Sequence, residues 1–153
     1  MSIPALIGWI LLSFSAAAIG GYAARPGPWY AAINKPTWNP PNWVFGPVWS
    51  ILFILMGVAA WLVWSRRGEA PVRTALTLFV VQLVFNSLWS WLFFGWHMLG
   101  AATAEVLAFW VVILLTALAF YRVVPLAGLL LVPYLIWVGF ASFLTYTIWR
   151  LNR

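Results

Sequence analysis

Five apolar runs, each close to the length of a membrane-crossing helix and parted by short polar or proline-containing breaks, leave this chain little choice of fold. A helix rises about 1.5 Å per residue, so roughly 20 apolar residues cross the hydrocarbon of a bilayer, and only helices and closed barrels satisfy their backbone groups there. The runs cover residues 3–24, 44–65, 72–94, 99–121 and 124–149. Arg25-Pro26-Gly27-Pro28 follows the first, Arg66-Arg67-Gly68-Glu69-Ala70-Pro71 the second, Gly95 to Gly100 the third and Arg122 to Pro125 the fourth. With 65% hydrophobic and 7% charged residues in 153, the chain has far more apolar surface than a soluble domain of its size can hide. The expected fold is an all-α integral membrane protein, a single bundle of five transmembrane helices in one domain covering residues 1–153. Only the first connection is long, so neighbouring helices run antiparallel. The first run lacks a charged leading region and exceeds a signal-peptide core, so it reads as retained.

The net charge of +6 comes from eight basic residues against two acids, and the basic groups sit at segment ends. Lipid phosphates account for that placement better than nucleic acid, which is not an expected partner. With five spans, Arg66, Arg67, Arg73 and Arg122 share one side of the membrane, and Arg25, Lys35, Arg150 and Arg153 the other. That balance leaves the orientation undetermined. The absence of cysteine and the single His97 exclude disulfides, thiolate chemistry and a metal cluster, and no cofactor is expected. There is no Asp, and Glu69 and Glu105 fall on opposite sides of the membrane, which removes paired-carboxylate catalysis. His97 stands in a short loop with no nucleophile to activate and reads as interfacial filler. No glycine-rich phosphate loop is present.

The long first connection is the most distinctive text. From Trp29 to Trp49 it reads WYAAINKPTWNPPNWVFGPVW, with Trp29, Trp38, Trp43 and Trp49 interleaved with Pro36, Pro40, Pro41 and Pro47. Proline fixes φ, and the residue before it is pushed out of the α region, so this segment is stiff and non-helical around Lys35-Pro36 and Asn39-Pro40-Pro41. Two readings stand: an interfacial aromatic belt, or a rigid lid over something flat and apolar. Counting along the spans, Trp49, Phe53, Asn86, Trp89, Glu105, Ala141, Leu144 and Tyr146 all lie in the half of the membrane beneath this loop.

Polar residues within the spans narrow the possibilities. Gln82, Asn86 and Trp89 recur at helical spacing and share a face. Gln82 fits interhelical hydrogen bonding, while Asn86 fits that role or a hydrogen bond to a ligand. Glu105 is an intramembrane carboxyl; it marks a functional site, or it snorkels to the surface or pairs with Arg150. Pro133 should kink the last helix, after which Tyr134, Trp137, Ala141 and Leu144 fall on one face and leave a slot between rings. Leu144, Tyr146 and Arg150 match the loose cholesterol-contact pattern, which many aromatic helix ends also match. Ser13, Ala17 and Gly21 form a small-residue ridge suited to helix contact, within the bundle or across a homodimer.

WYAAINKPTWNPPNWVFGPVW, QLVFNSLWSWLFFG at 82–95 and VPYLIWVGFASFLTYTIWR at 132–150 together resemble the tryptophan-rich sensory protein and translocator protein (TspO/MBR) family, the peripheral benzodiazepine receptors. The resemblance implies a five-helix, usually dimeric membrane protein whose pocket opens beneath the first loop and takes porphyrins, sterols and isoquinoline-type ligands. It maps the pocket onto Tyr30, Trp38, Trp49, Phe53, Asn86, Trp89, Trp137, Ala141 and Leu144, and the sterol motif onto Leu144, Tyr146 and Arg150. Phe53 stands where some relatives carry Tyr, and Glu105 where Asp is common. The implied function is a membrane receptor for protoporphyrin IX and related tetrapyrroles, or for sterol-like ligands, in tetrapyrrole regulation, sensing or transport. The alternative is light- and oxygen-dependent porphyrin degradation using Trp49 and Trp137. Inverted repeats, the usual mark of alternating access, are absent from the sequence. The expected partners are such a small molecule, membrane lipid and a second copy of the chain. The expected location is a bacterial envelope membrane, with the mitochondrial outer membrane for eukaryotic relatives.

Overall fold

A computed structural model describes residues 2–23 and 27–153, which form helices and no strand. In chain order these are α1 (Ile3–Ala23), the short α2 (Pro28–Ala32), α3 (Asn42–Trp64), α4 (Arg73–Ser90) continued by a π-helical turn (Trp91–Gly95), α5 (Leu99–Val123), α6 (Pro125–Leu130) and α7 (Val132–Leu151). Five stretches are long and apolar enough to cross a membrane: α1, α3, α4 with its π turn, α5, and α6 with α7. The expected end of the first helix at Ala24 and the Arg25-Pro26 break lie outside the described residues.

Proline sets several of the boundaries. Pro41, extended at φ −63° and ψ 150°, caps α3, which therefore starts at Asn42, ahead of the apolar run. At the other end of the sequence the fifth span is broken rather than bent. Pro133 lacks the N–H that would bond Leu129, and the helix is interrupted at Leu131 (φ −88°, ψ −7°), which separates α6 from α7. The third span departs from the regular helix expected for it. After Ser90 the chain widens into a π turn closed by Trp96 N–H donating to Trp91 O at 2.7 Å. Gly95 is what the wide turn requires, because a Cβ there would stand 2.8 Å from the Trp91 ring.

α5 packs against α4, α6 and α7, while α1 packs across α3 and α4. The crossing of α1 and α3 is close at Gly57, where a Cβ would come within 2.7 Å of Ile10 Cα. Indole and hydroxyl donors reach across to neighbouring backbones: Trp61 Nε1 to Ser2 O (2.8 Å), Ser87 Oγ to Ala16 O (2.9 Å), Trp110 Nε1 to Leu135 O (3.0 Å). Such donors find protein acceptors because hydrocarbon offers none.

The half of the bundle away from the first loop is solid, filled by Met56, Phe79, Phe109, Ile113, Phe120 and Leu131 among others. On the loop side a second, smaller cluster of Phe93, Ala102, Leu144 and Ile148 packs under Trp29, Tyr30 and Ile33. α3 packs against α6 rather than closely against α7. Towards the first loop, α3 and α7 therefore meet through rings, Phe45 on Trp137 at 6.0 Å and Trp49 on Trp137 at 6.5 Å. The hollow of the molecule lies between these two packed regions.

Candidate functional site

A cavity of about 350 Å³ occupies the loop-side half of the bundle, within the range of roughly 300–1,000 Å³ usual for small-molecule sites. Four helices and the roof build it. α3 contributes Phe45, Gly46, Trp49 and Phe53; α4 contributes Asn86, Trp89 and Ser90, followed by Phe93 and Phe94 from the π turn. α7 supplies Trp137, Phe140, Ala141 and Leu144, and α1 supplies Ala16, Ala17, Gly20 and Gly21. Tyr30 of α2 closes the top.

The rings fix one another. Trp49 lies edge-on to Trp137 (6.5 Å, 86°) and to Tyr134 (6.2 Å, 76°), and 5.7 Å from Phe53. Trp89 packs on Phe93 at 5.4 Å and meets Phe94 at a right angle. Opposite these flat walls, α1 presents Ala17 and the two glycines, so a planar guest finds aromatic faces on one side and near-bare backbone on the other.

A hydrogen-bonded polar assembly reaches this largely apolar space. Tyr134 Oη donates to Gln82 Oε1 (2.6 Å) and accepts from Asn86 Nδ2 (2.9 Å), while Gln82 Nε2 points at Met56 Sδ (3.8 Å). Gln82 is 1% exposed and holds helices together, the role its sequence position suggested. Asn86 makes the interhelical bond foreseen for it, to Tyr134, and it lines the cavity. The rings of Trp89 and Trp137 line the cavity, while their indole N–H groups are buried in the protein without a hydrogen-bond partner.

The roof is held from several directions. Lys35 Nζ donates to Tyr30 O (2.6 Å), Ile33 O (3.3 Å) and Ala31 O (3.4 Å), closing the end of α2, and lies 4.8 Å over the Tyr30 ring. His97 lies exposed in its short loop, as expected for an interfacial residue. It adopts φ 56°, unusual for a residue with a side chain, and stacks flat on Trp29 at 3.9 Å. Asn34 and Asn152 join the roof to the end of α7, Asn34 N–H donating to Asn152 Oδ1 (2.9 Å) and Asn152 Nδ2 to Asn34 O (2.8 Å).

The structure gathers Tyr30, Trp49, Phe53, Asn86, Trp89, Trp137, Ala141 and Leu144 on the cavity wall. Trp38 is not among them. It is 42% exposed and lies outside on α7, stacked on Phe143 at 5.4 Å and 18° and edge-on to Phe140. The sterol pattern is not brought onto one surface either. Leu144 is buried against the cavity, whereas Tyr146 is exposed with the Arg150 guanidinium 6.0 Å over its ring. Two residues along a helix are about 200° apart, which is why the spacing cannot present both. Glu105 neither snorkels nor pairs with Arg150: it is 9% exposed, both carboxyl oxygens lack hydrogen-bond partners, and it stands off the cavity wall.

Sequence reasoning missed the contribution of α1 and of Phe93 and Phe94. The signal for α1 was present as the Ser13, Ala17, Gly21 ridge. Ser13 is fully buried, and Ala17 and Gly21 line the cavity.

The sequence pattern of the TspO/MBR family matches residues 9–150. The chain is 46% identical over 133 residues to the Tryptophan-rich protein TspO of Chlorobaculum tepidum, covering 86% of this chain and 84% of that protein. It is 40% identical over 148 residues to the Tryptophan-rich sensory protein of Cereibacter sphaeroides (97% and 92% covered). It is 41% identical over 127 residues to the Translocator protein of Homo sapiens (82% and 75% covered).

Proposed function

This chain belongs to the TspO/MBR family of multi-pass membrane proteins, and on that premise we propose that it is a membrane receptor whose cavity takes porphyrins, protoporphyrin IX foremost, and isoquinoline-type or sterol-like apolar ligands. It serves in tetrapyrrole regulation, sensing or transport. The observation that carries this reading is the cavity itself, flat aromatic walls from α3, α4 and α7 facing a ridge of Ala17, Gly20 and Gly21. That shape suits a planar polycycle. Asn86, a polar side chain on an otherwise mostly apolar wall, favours a planar guest bearing a polar group over a pure hydrocarbon. The working unit is a homodimer in a bacterial envelope membrane. Its contact uses the outward faces of α1 and α4, the two least buried spans, since the ridge on α1 is occupied by the cavity.

Titration of protoporphyrin IX into protein in nanodiscs, followed by quenching of tryptophan fluorescence, tests the reading. Saturable quenching that an isoquinoline carboxamide displaces is the expected result. Quenching that never saturates, or that survives filling the cavity by substitution, would defeat it.

A second reading is light- and oxygen-dependent porphyrin degradation at Trp49 and Trp137. The edge-on pair at 6.5 Å favours it, because both indoles border the space where a photoexcited ring would sit and could donate an electron to it. Illuminating the porphyrin complex in air and following the Soret band against serum albumin separates the two. Loss of the band that depends on Trp49 and Trp137 establishes photochemistry; equal bleaching in both proteins leaves a receptor alone.

A further inference from the structure

Between α2 and α3 the chain does not pass directly over the cavity from one helix to the next. Residues 33–41 first run to the far end of α7, where Asn34 meets Asn152, and then along α7, where Trp38 lies on Phe143, before Pro41 caps α3. The segment thus straps the aromatic gap between α7 and α3. Asn152 is the junction: its Oδ1 accepts from Asn34 N–H at 2.9 Å, and its Nδ2 donates to Asn34 O at 2.8 Å and to Ile148 O at 2.8 Å. Asn34 Nδ2 adds a bond to Leu151 O at 3.3 Å. One side-chain amide therefore caps α7 and pairs with the strap as a neighbouring strand would. Ile148, which it holds, borders the cavity.

From this geometry we infer that the Asn34–Asn152 pair is a latch that positions the roof and sets the lifetime of a bound ligand, and that ligand exchange passes beneath the strap. Pro36, Pro40 and Pro41 stiffen the strap, so it moves as a flap and does not melt residue by residue. A stiff flap is controlled by its fastenings. The latch lies at the exposed end of α7, where its freed groups find water, so opening it costs far less than breaking the same bonds in the core. Removing it removes part of the barrier to release and little of the barrier to capture.

The inference rests on the cavity being a ligand site, and the experiment keeps the two apart. In nanodiscs with protoporphyrin IX as the probe, Asn152→Ala should release ligand roughly tenfold to a hundredfold faster, the loss of two or three hydrogen bonds, with capture changed far less. The chain has no cysteine, so Asn34→Cys with Asn152→Cys places the sole thiols at the latch. Bridging them by oxidation or a short bis-thiol reagent should trap bound porphyrin and deny entry to the empty protein, and reduction should restore both. A bridged protein that exchanges porphyrin at the parent's rate overturns the inference. A parent that takes up no porphyrin defeats the receptor reading instead, and the latch is then judged by hydrogen exchange. Amide exchange over residues 29–36 should rise in Asn152→Ala at an unchanged melting temperature; unaltered exchange there also overturns the latch.

Discussion

Asn86 on α4 and Tyr134 on α7 are joined by a 2.9 Å hydrogen bond at the inner edge of the cavity, and the same tyrosine hydroxyl donates to Gln82 at 2.6 Å. The bond couples a polar group on the cavity wall to the packed half of the bundle.

Tyr134→Phe keeps the ring that meets Trp49 and Phe109 but removes the hydroxyl, which strands Gln82 Oε1 and Asn86 Nδ2 in a dry interior. The expected loss is about 1–3 kcal/mol for each group left unpaired. Thermal unfolding in detergent measures it, and a variant as stable as the parent would show that the network contributes nothing.

Gly21→Leu should abolish or strongly weaken porphyrin quenching without changing the oligomeric state. Gly21 lies at the open rim of the cavity, exposed and with no atom within 4 Å of a Cβ built there, so a leucine has room to fold over the opening a ligand must pass. Light scattering beside the fluorescence titration checks both halves. Dissociation to monomers with intact binding would return the α1 ridge to an intersubunit role.

Ala141→Thr adds a methyl and a hydroxyl to a residue that is buried on the cavity wall. Overpacking of the slot is worth about 1–3 kcal/mol, or roughly five- to a hundredfold in affinity for protoporphyrin IX. Equal affinity in a folded variant would take Ala141 out of the site.

Gly57→Ala should destabilise the bundle while leaving the cavity walls in place. Its Cβ would press on Ile10 backbone atoms at 2.7 and 2.9 Å, so α1 and α3 must separate to admit it. Overpacking of this kind costs about 1–3 kcal/mol. A melting temperature unchanged from the parent's would mean that the crossing is looser than the geometry indicates.

Glu105→Gln should be neutral or stabilising and should leave porphyrin affinity unchanged. The carboxyl has no hydrogen-bond partner and stands off the cavity, so the amide removes a potential buried charge without breaking a contact. A fall in affinity would place Glu105 in the ligand's field.

The spans, their breaks and most of the pocket were legible because each depends on local periodicity. Hydropathy over about 20 residues identifies a crossing helix, proline marks its ends, and residues three or four apart share a face. Trp137, Ala141 and Leu144 line one wall for that last reason, as do Asn86 and Trp89. Local spacing leaves the choice open where two surfaces compete for one pattern. The ridge of Ser13, Ala17 and Gly21 permits close approach by any partner, and composition cannot say whether that partner is a helix, a second copy or a ligand.

Tertiary structure alone decided the rest. Whether Trp38 covers the cavity or lies outside on Phe143 depends on where the strap docks, and that depends on a contact between Asn34 and Asn152, which are 118 positions apart. The π turn at Trp91–Gly95 likewise reflects an indole seated over Gly95, a steric match with no hydropathy signature. The sequence by itself determined which segments enter the membrane, since the bilayer reads average hydropathy. Which faces then meet was decided by fit among side chains nearly equal in hydropathy, and that fit exists only once the helices are assembled.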